Sequence, residues 1–318
     1  MFAGATPVQA HAILRAMKVV ASLGGAAALS TADQAALIAA GHYVFRLSAD
    51  PDSLEPITPA ALAAAVTDAG LRREAAQSLA VMALVDGAVD GDKIASVTRF
   101  AAALDIHDDF IKTMTEAAQG HLRWAGMDMV RHNMLSITGQ PWAEADVMPW
   151  LLPYQGDQAD PALTARFEAL QNLPEESLGH TFWHHYRHHG FTFPGQPDAL
   201  NARFAVPHDT THLLSGYSTT YRGEILVSTF TAGMHPEEPM AGHILPVIFS
   251  WHLGIELIEH AGSHRGGLDP SHFWEAWSRG QATKGDAFAP DWNFWALIER
   301  PLAELQVDYG VPPREAED

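Results

Sequence analysis

The sequence predicts an all-α protein in two helical parts. Apolar residues recur at helical spacing through most of the chain, and no stretch alternates at period two for long enough to build a sheet. Capping residues and helix breakers fall between the apolar stripes. With 318 residues, 47% of them apolar, the chain can form two ordinary domains around sizeable cores.

In chain order, Ile13, Leu14, Met17 and Val20 mark a first helix, interrupted at Gly24 and Gly25. Ser30 to Asp33 cap a second, which runs to Val44. Thr58 and Pro59 open a third, with threonine as the cap and proline in the first turn. Residues 71–85 form a long helix with Leu79, Met82 and Val85 on one face. After an acidic turn, Ile94, Val97, Ala101 and Leu104 make the next stripe, and Asp108 caps a helix carrying Phe110, Ile111 and Met114. The turn at 86–92 is not a calcium loop. Ala88 and Val97 stand at its third and twelfth positions, where calcium needs oxygen ligands. It reads as a capped connection between two helices. The run Ala83-Leu84-Val85-Asp86-Gly87-Ala88-Val89-Asp90, then a helix, then Ala103-Leu104-Asp105-Ile106, resembles TerB-like (tellurite-resistance) helical modules over about residues 30–120. The first domain is therefore drawn at 1–145, an N-terminal TerB-like helical bundle.

Pro141, Pro149, Pro153 and Pro161 make 140–170 look like a junction. Beyond it, residues 163–173 are helical and 180–189 form a histidine-dense helix, read as a solvated face. Residues 225–230 are β-branched but have no turn partner, and are read as helix. The apolar segment 245–258, with Phe249 and Trp251, is read as core, with the wall of a prenyl-tail pocket as the functional alternative. On one helix, His252, Glu256 and His260 would share a face, as supporting or core-satisfied groups.

A net charge of −19 argues against nucleic acid and against broad docking to anionic lipid. There is no cysteine, so disulfides, thiolate zinc sites and thiol nucleophiles are excluded. No apolar run is long enough to span a bilayer, and Arg15 and Lys18 come too late for a good export signal. A cytoplasmic location is expected, with peripheral contact on the inner membrane face.

The chemistry concentrates in one window, His208-Asp209-x-x-His212, followed after eleven residues by Glu224. On a helix His208 and His212 lie one turn apart on one face, and Asp209 sits about 100° to the side. Gly216 and Ser218-Thr219-Thr220 should end that helix, which places Glu224 in the first turn of the next. Val206, Leu213, Leu214, Ile225 and Leu226 surround these groups, so they should be partly buried, and a cation would compensate them. Two imidazoles with two carboxylates suit zinc, iron(II) or manganese.

This window resembles the coenzyme Q biosynthesis protein 4 family, whose signature is H-D-x-x-H-x(11)-E. The similarity spans about residues 165–312. It includes Leu173-Pro174-x-x-Ser177-Leu178-Gly179, Ala276-x-x-Arg279-Gly280-x-Ala282-x-Lys284, Asp291-Trp292 and Glu299-x-Pro301-Leu302-x-Glu304-Leu305. Glu176-Ser177 replace the family's Gly-Thr, and Gln306 stands where arginine is common. The second domain is drawn at 165–318. The resemblance implies that His208, Asp209, His212 and Glu224 are metal ligands and catalytic residues, with zinc as the first candidate ion. It implies ubiquinone biosynthesis: metal-dependent oxidative decarboxylation of a polyprenyl-hydroxybenzoate, replacing ring carboxyl by hydroxyl. The alternative is a non-catalytic prenyl-lipid-binding scaffold with a structural metal. Expected partners are a prenylated quinone precursor, other ubiquinone biosynthesis proteins and further copies of the chain. Glu224, coming from the second helix, is the candidate for a displaceable ligand.

Overall fold

The computed structural model describes residues 4–141, 144–257 and 262–315, and among them only helices and connections occur, with no strand. The chain folds through α1 (Pro7–Ala21), α2 (Thr31–Ala39), α3 (Pro59–Ala65), α4 (Ala69–Met82), α5 (Gly91–Ala103), α6 (Asp109–Ala118) and α7 (Leu122–Thr138). It continues through α8 (Glu144–Leu151), α9 (Pro161–Ala169), α10 (Leu178–His189), α11 (Ala202–Ser215) and α12 (Tyr221–Met234). Last come α13 (Leu245–Trp251), α14 (Pro270–Ala282) and α15 (Leu302–Asp308). The all-α expectation holds.

The sequence signals act where they stand. Ser30 and Asp33 form a reciprocal capping box on α2. Thr58 accepts from Ala61 N at the start of α3. The helix expected to reach Val44 becomes a π-helical turn after Ala39, and α4 closes at Met82, three residues short of Val85. In the acidic turn, Asp86 accepts from Lys93 Nζ at 2.8 Å, and Asp90 caps α5 through the N–H groups of Asp92 and Lys93. Both carboxylates are thus engaged within the protein, as a capped connection requires.

One apolar core runs from α1 and α4 to the far end of the chain. Ile13, Met17, Leu79 and Phe100 share it with Phe249, Phe273, Trp274 and Trp277. Ser278 Oγ on α14 donates to Tyr43 O at 2.9 Å. His252 fastens the same contact, donating from Nε2 to Val85 O at 3.1 Å and accepting at Nδ1 from Leu268 N at 3.2 Å. The expected helix through His252, Glu256 and His260 is corrected here. α13 stops at Trp251, Gly254 takes the left-handed φ of 70°, and His260 lies outside the described residues. His252 is a core-satisfied histidine. The proline-rich stretch at 140–170 contains α8, with Pro149 inside it.

α12 and α14 cross backbone to backbone. A Cβ on Gly280 would run into the Phe230 carbonyl, and one on Gly233 would lie 2.5 Å from the Trp277 carbonyl oxygen. This crossing sets the position of α12, which carries Glu224.

Candidate metal centre

α11 ends at Gly216, which takes φ 77° and returns its N–H to His212 O. Thr220 then caps α12 by accepting from Gly223 N, so Glu224 falls in the first turn as expected. Arg279 holds the intervening turn. It donates to Ser215 O and Pro312 O at 3.0 Å each, and its guanidinium lies 5.0 Å from the Tyr217 ring.

The fold brings His208, His212 and Glu224 together, with one ligand atom from each inside 4.8 Å of the others. Glu224 Oε2 is 3.3 Å from His208 Nε2, and Oε1 is 3.3 Å from His212 Nε2. The two Nε2 atoms face each other at 3.3 Å. His212 Nδ1 lies 3.0 Å from Tyr217 O, a carbonyl that can only accept. Its proton is therefore on Nδ1, and the Nε2 lone pair is turned inward, the tautomer that a metal ligand needs. Two imidazole nitrogens and a carboxylate converging in a partly buried site fit a divalent ion. Among the described residues this is the cluster that could hold one.

Asp209 takes a different partner. Its Oδ2 accepts from Tyr186 OH at 2.5 Å, and Asp209 is not among the residues whose ligand atoms converge. Glu224 is the carboxylate that touches both imidazoles.

The charge balance follows from these contacts. Burial would raise the Glu224 carboxyl, but the hydrogen bond from His208 and the close approach of the His212 imidazole hold it well below the usual range. Burial pulls the His208 imidazole down, and its bond to Glu224 outweighs that and raises it. A proton is thus favoured between these groups, and a bound ion would expel it. Burial raises the Asp209 carboxyl against the pull of His208 and the Tyr186 bond. Burial also lifts the Tyr186 hydroxyl well above its ordinary value, with Asp209 adding to the effect.

The centre opens into a cavity of about 630 Å³. His208, Asp209 and Glu224 stand in one wall, and Met134, Leu151, Phe204 and Trp251 are among the apolar groups around them. That volume lies within the range that encloses small-molecule ligands. α7 and α8, from the first 151 residues, supply part of the lining. Met148, Phe191 and Leu200 line the cavity and are also among the exposed large apolar residues. On α10, His184, His188 and His189 face solvent, whereas His185 turns in to 6.0 Å from the His212 ring.

Sequence reading missed Tyr186 and His243, another cavity residue. Tyr186 carried one usable signal: it follows Phe182 by four on the apolar face of α10, and a buried tyrosine needs a polar partner.

His243 also sets an acid limit. Burial, with His235 and then His208 adding to it, holds its imidazole down to about 3. Below about pH 6.5 the unfolded chain takes up a proton that the folded protein refuses, so stability falls by about 1.4 kcal/mol per pH unit from this group. In metal-free protein, the thermal midpoint of wild type should therefore drop more between pH 6.5 and 5 than that of His243→Leu. Parallel curves would rule out this source of acid sensitivity.

No family model matches the chain, and no curated protein matches it. Among solved structures, it is similar to a candidate ubiquinone biosynthesis protein from Nostoc punctiforme. Identity is 18%, covering 64% of this chain and 95% of that one, at a TM-score of 0.32. A likeness at that score fixes neither fold nor activity. Among the described residues, no helix is long and apolar enough to cross a membrane.

Proposed function

We propose that this chain acts in ubiquinone biosynthesis as a metal-dependent oxidative decarboxylase. It would replace the ring carboxyl of a polyprenyl-hydroxybenzoate by hydroxyl. The observation that carries the reading is the His208, His212 and Glu224 triad opening into an apolar cavity of about 630 Å³. The H-D-x-x-H-x(11)-E resemblance supplies the substrate class.

Zinc is the favoured ion; His208, His212 and Glu224 would hold it, with Asp209 as the expected fourth ligand. Iron(II) and manganese accept the same donors. When bound, the ion supplies Lewis-acid polarisation of the ring carboxylate. The chain's own residues do the rest. The walls around Phe204, Met134 and Trp251 take the ring and the start of the tail and exclude water. Met148, Phe191 and Leu200 at the surface give an apolar entrance, suited to a lipid arriving from a membrane face. The expected domains then divide the work: a TerB-like module, 1–145, leads into the helices that cover the cavity, and 165–318 carries the ligands.

Exchange of carboxyl for hydroxyl is a two-electron oxidation, so an acceptor must take the electrons. The test supplies dioxygen. Purified protein loaded with zinc or iron(II) is incubated in air with 3-geranyl-4-hydroxybenzoate. Carbon dioxide and the ring-hydroxylated product should appear in equal amounts, and chelation of the metal should stop both. Binding of the probe without release of carbon dioxide under either metal would refute the enzyme and favour the non-catalytic scaffold.

A further inference from the structure

The cavity wall is not apolar throughout. α12 sends Glu224, Ser228 and Thr231 to its lining. Spacings of four and three keep them within about 60° of one helix face. Further along that face His235 lies 2.8 Å from Asp286 Oδ2 and 3.3 Å from Ser136 O. The His243 ring stands 6.0 Å from the His235 ring and is itself part of the cavity lining.

His243 belongs to the π-helical turn Pro239–Ile244 that leads into α13. Such turns re-aim side chains and recur at functional sites. The residue is only 5% exposed. Its Nε2 is 2.7 Å from Ser136 Oγ. With Ser136 donating to Nε2, the imidazole carries its own proton on Nδ1. Burial keeps the ring neutral at working pH. A neutral N–H donor in a mostly apolar chamber has strong preference for an acceptor oxygen.

We propose that His243 is a positioning residue: its Nδ1–H hydrogen-bonds an oxygen on the edge of the aromatic head group opposite the metal-facing edge, beside the hydroxyls of Ser228 and Thr231. This rests on the head-group reading given above. From Glu224 to Thr231 the helix advances about 10 Å. That suits a para-substituted benzene ring with a metal contact at one end and a hydrogen bond at the other. With the carboxylate at the metal, the oxygen at the far edge of a 4-hydroxybenzoate is its 4-hydroxyl.

The test is calorimetric binding of two probes to the zinc-loaded full chain, 3-geranyl-4-hydroxybenzoate and 3-geranylbenzoate, which lacks the 4-hydroxyl. Wild type should prefer the first by roughly tenfold, the scale of one buried hydrogen bond. His243→Leu should bind both about equally and keep its zinc, and His243→Gln, which retains a donor, should restore part of the preference. Ser136→Ala is a second variant that leaves the lining residues in place. It frees Nε2, lets the ring change tautomer, and should reduce the preference. An undiminished preference in either folded variant, His243→Leu or Ser136→Ala, overturns the positioning role and leaves the head-group reading standing. Failure of wild type to bind either probe overturns both.

Discussion

His212→Ala should leave a folded protein that retains no metal through dialysis and releases no carbon dioxide from the geranylated probe. His212 is the most deeply buried of the three, its side chain 1% exposed, and the Tyr217 carbonyl fixes its Nε2 toward Glu224 and His208. Loss of an outer-shell partner alone weakens metal sites by about 10–100-fold, and loss of a ligand should exceed the upper end of that range. The cost in stability is smaller, about 1–3 kcal/mol, because one buried carbonyl loses its donor. Asp209→Asn makes the contrast. Its carboxylate already bonds Tyr186, so this variant should keep more of its metal than His212→Ala. Metal content by mass spectrometry, with circular dichroism as the control for folding, decides the matter. Full retention of metal by folded His212→Ala would remove the centre from this site.

Gly280→Val should be the most damaging change outside the ligands. The clash is with main chain, the Phe230 carbonyl, so no side chain can rotate away. Gly233 meets α14 in the same crossing, with Gln281 N at 2.8 Å from where its Cβ would lie. Overpacking of this kind costs about 3 kcal/mol or more. In a chain of this size that lowers the midpoint by about 4–5 °C or more. α12 must also shift, which moves Glu224 away from the imidazoles, so metal affinity should fall with stability. A midpoint within about 2 °C of wild type would show that the helices do not touch at these glycines.

The features legible in the sequence are those that act locally. Ser30, Thr58 before Pro59, and Thr220 mark helix starts because each caps an N–H three residues on. The ligand window was legible for the same reason: His208 and His212 are one turn apart, and Gly216 with Thr220 dictates the fold-back that returns Glu224. What could not be read depends on distant pairing. Tyr186 reaches Asp209 across 23 positions, His243 reaches Ser136 across 107, and His252 reaches Val85 across 167. Proline at 149 suggested a linker, yet α8 forms and Met148 and Leu151 wall the cavity. Gly280 stood within a recognisable run of residues, but its need for a bare Cα is visible only once α12 lies against it.

X-ray absorption at the metal edge of the zinc-loaded protein counts the ligands directly. The expected spectrum has two imidazole rings and carboxylate oxygen in the inner shell, lost in His212→Ala. A shell with no histidine, or one that keeps both imidazoles when His212 is removed, would contradict a centre built from His208, His212 and Glu224.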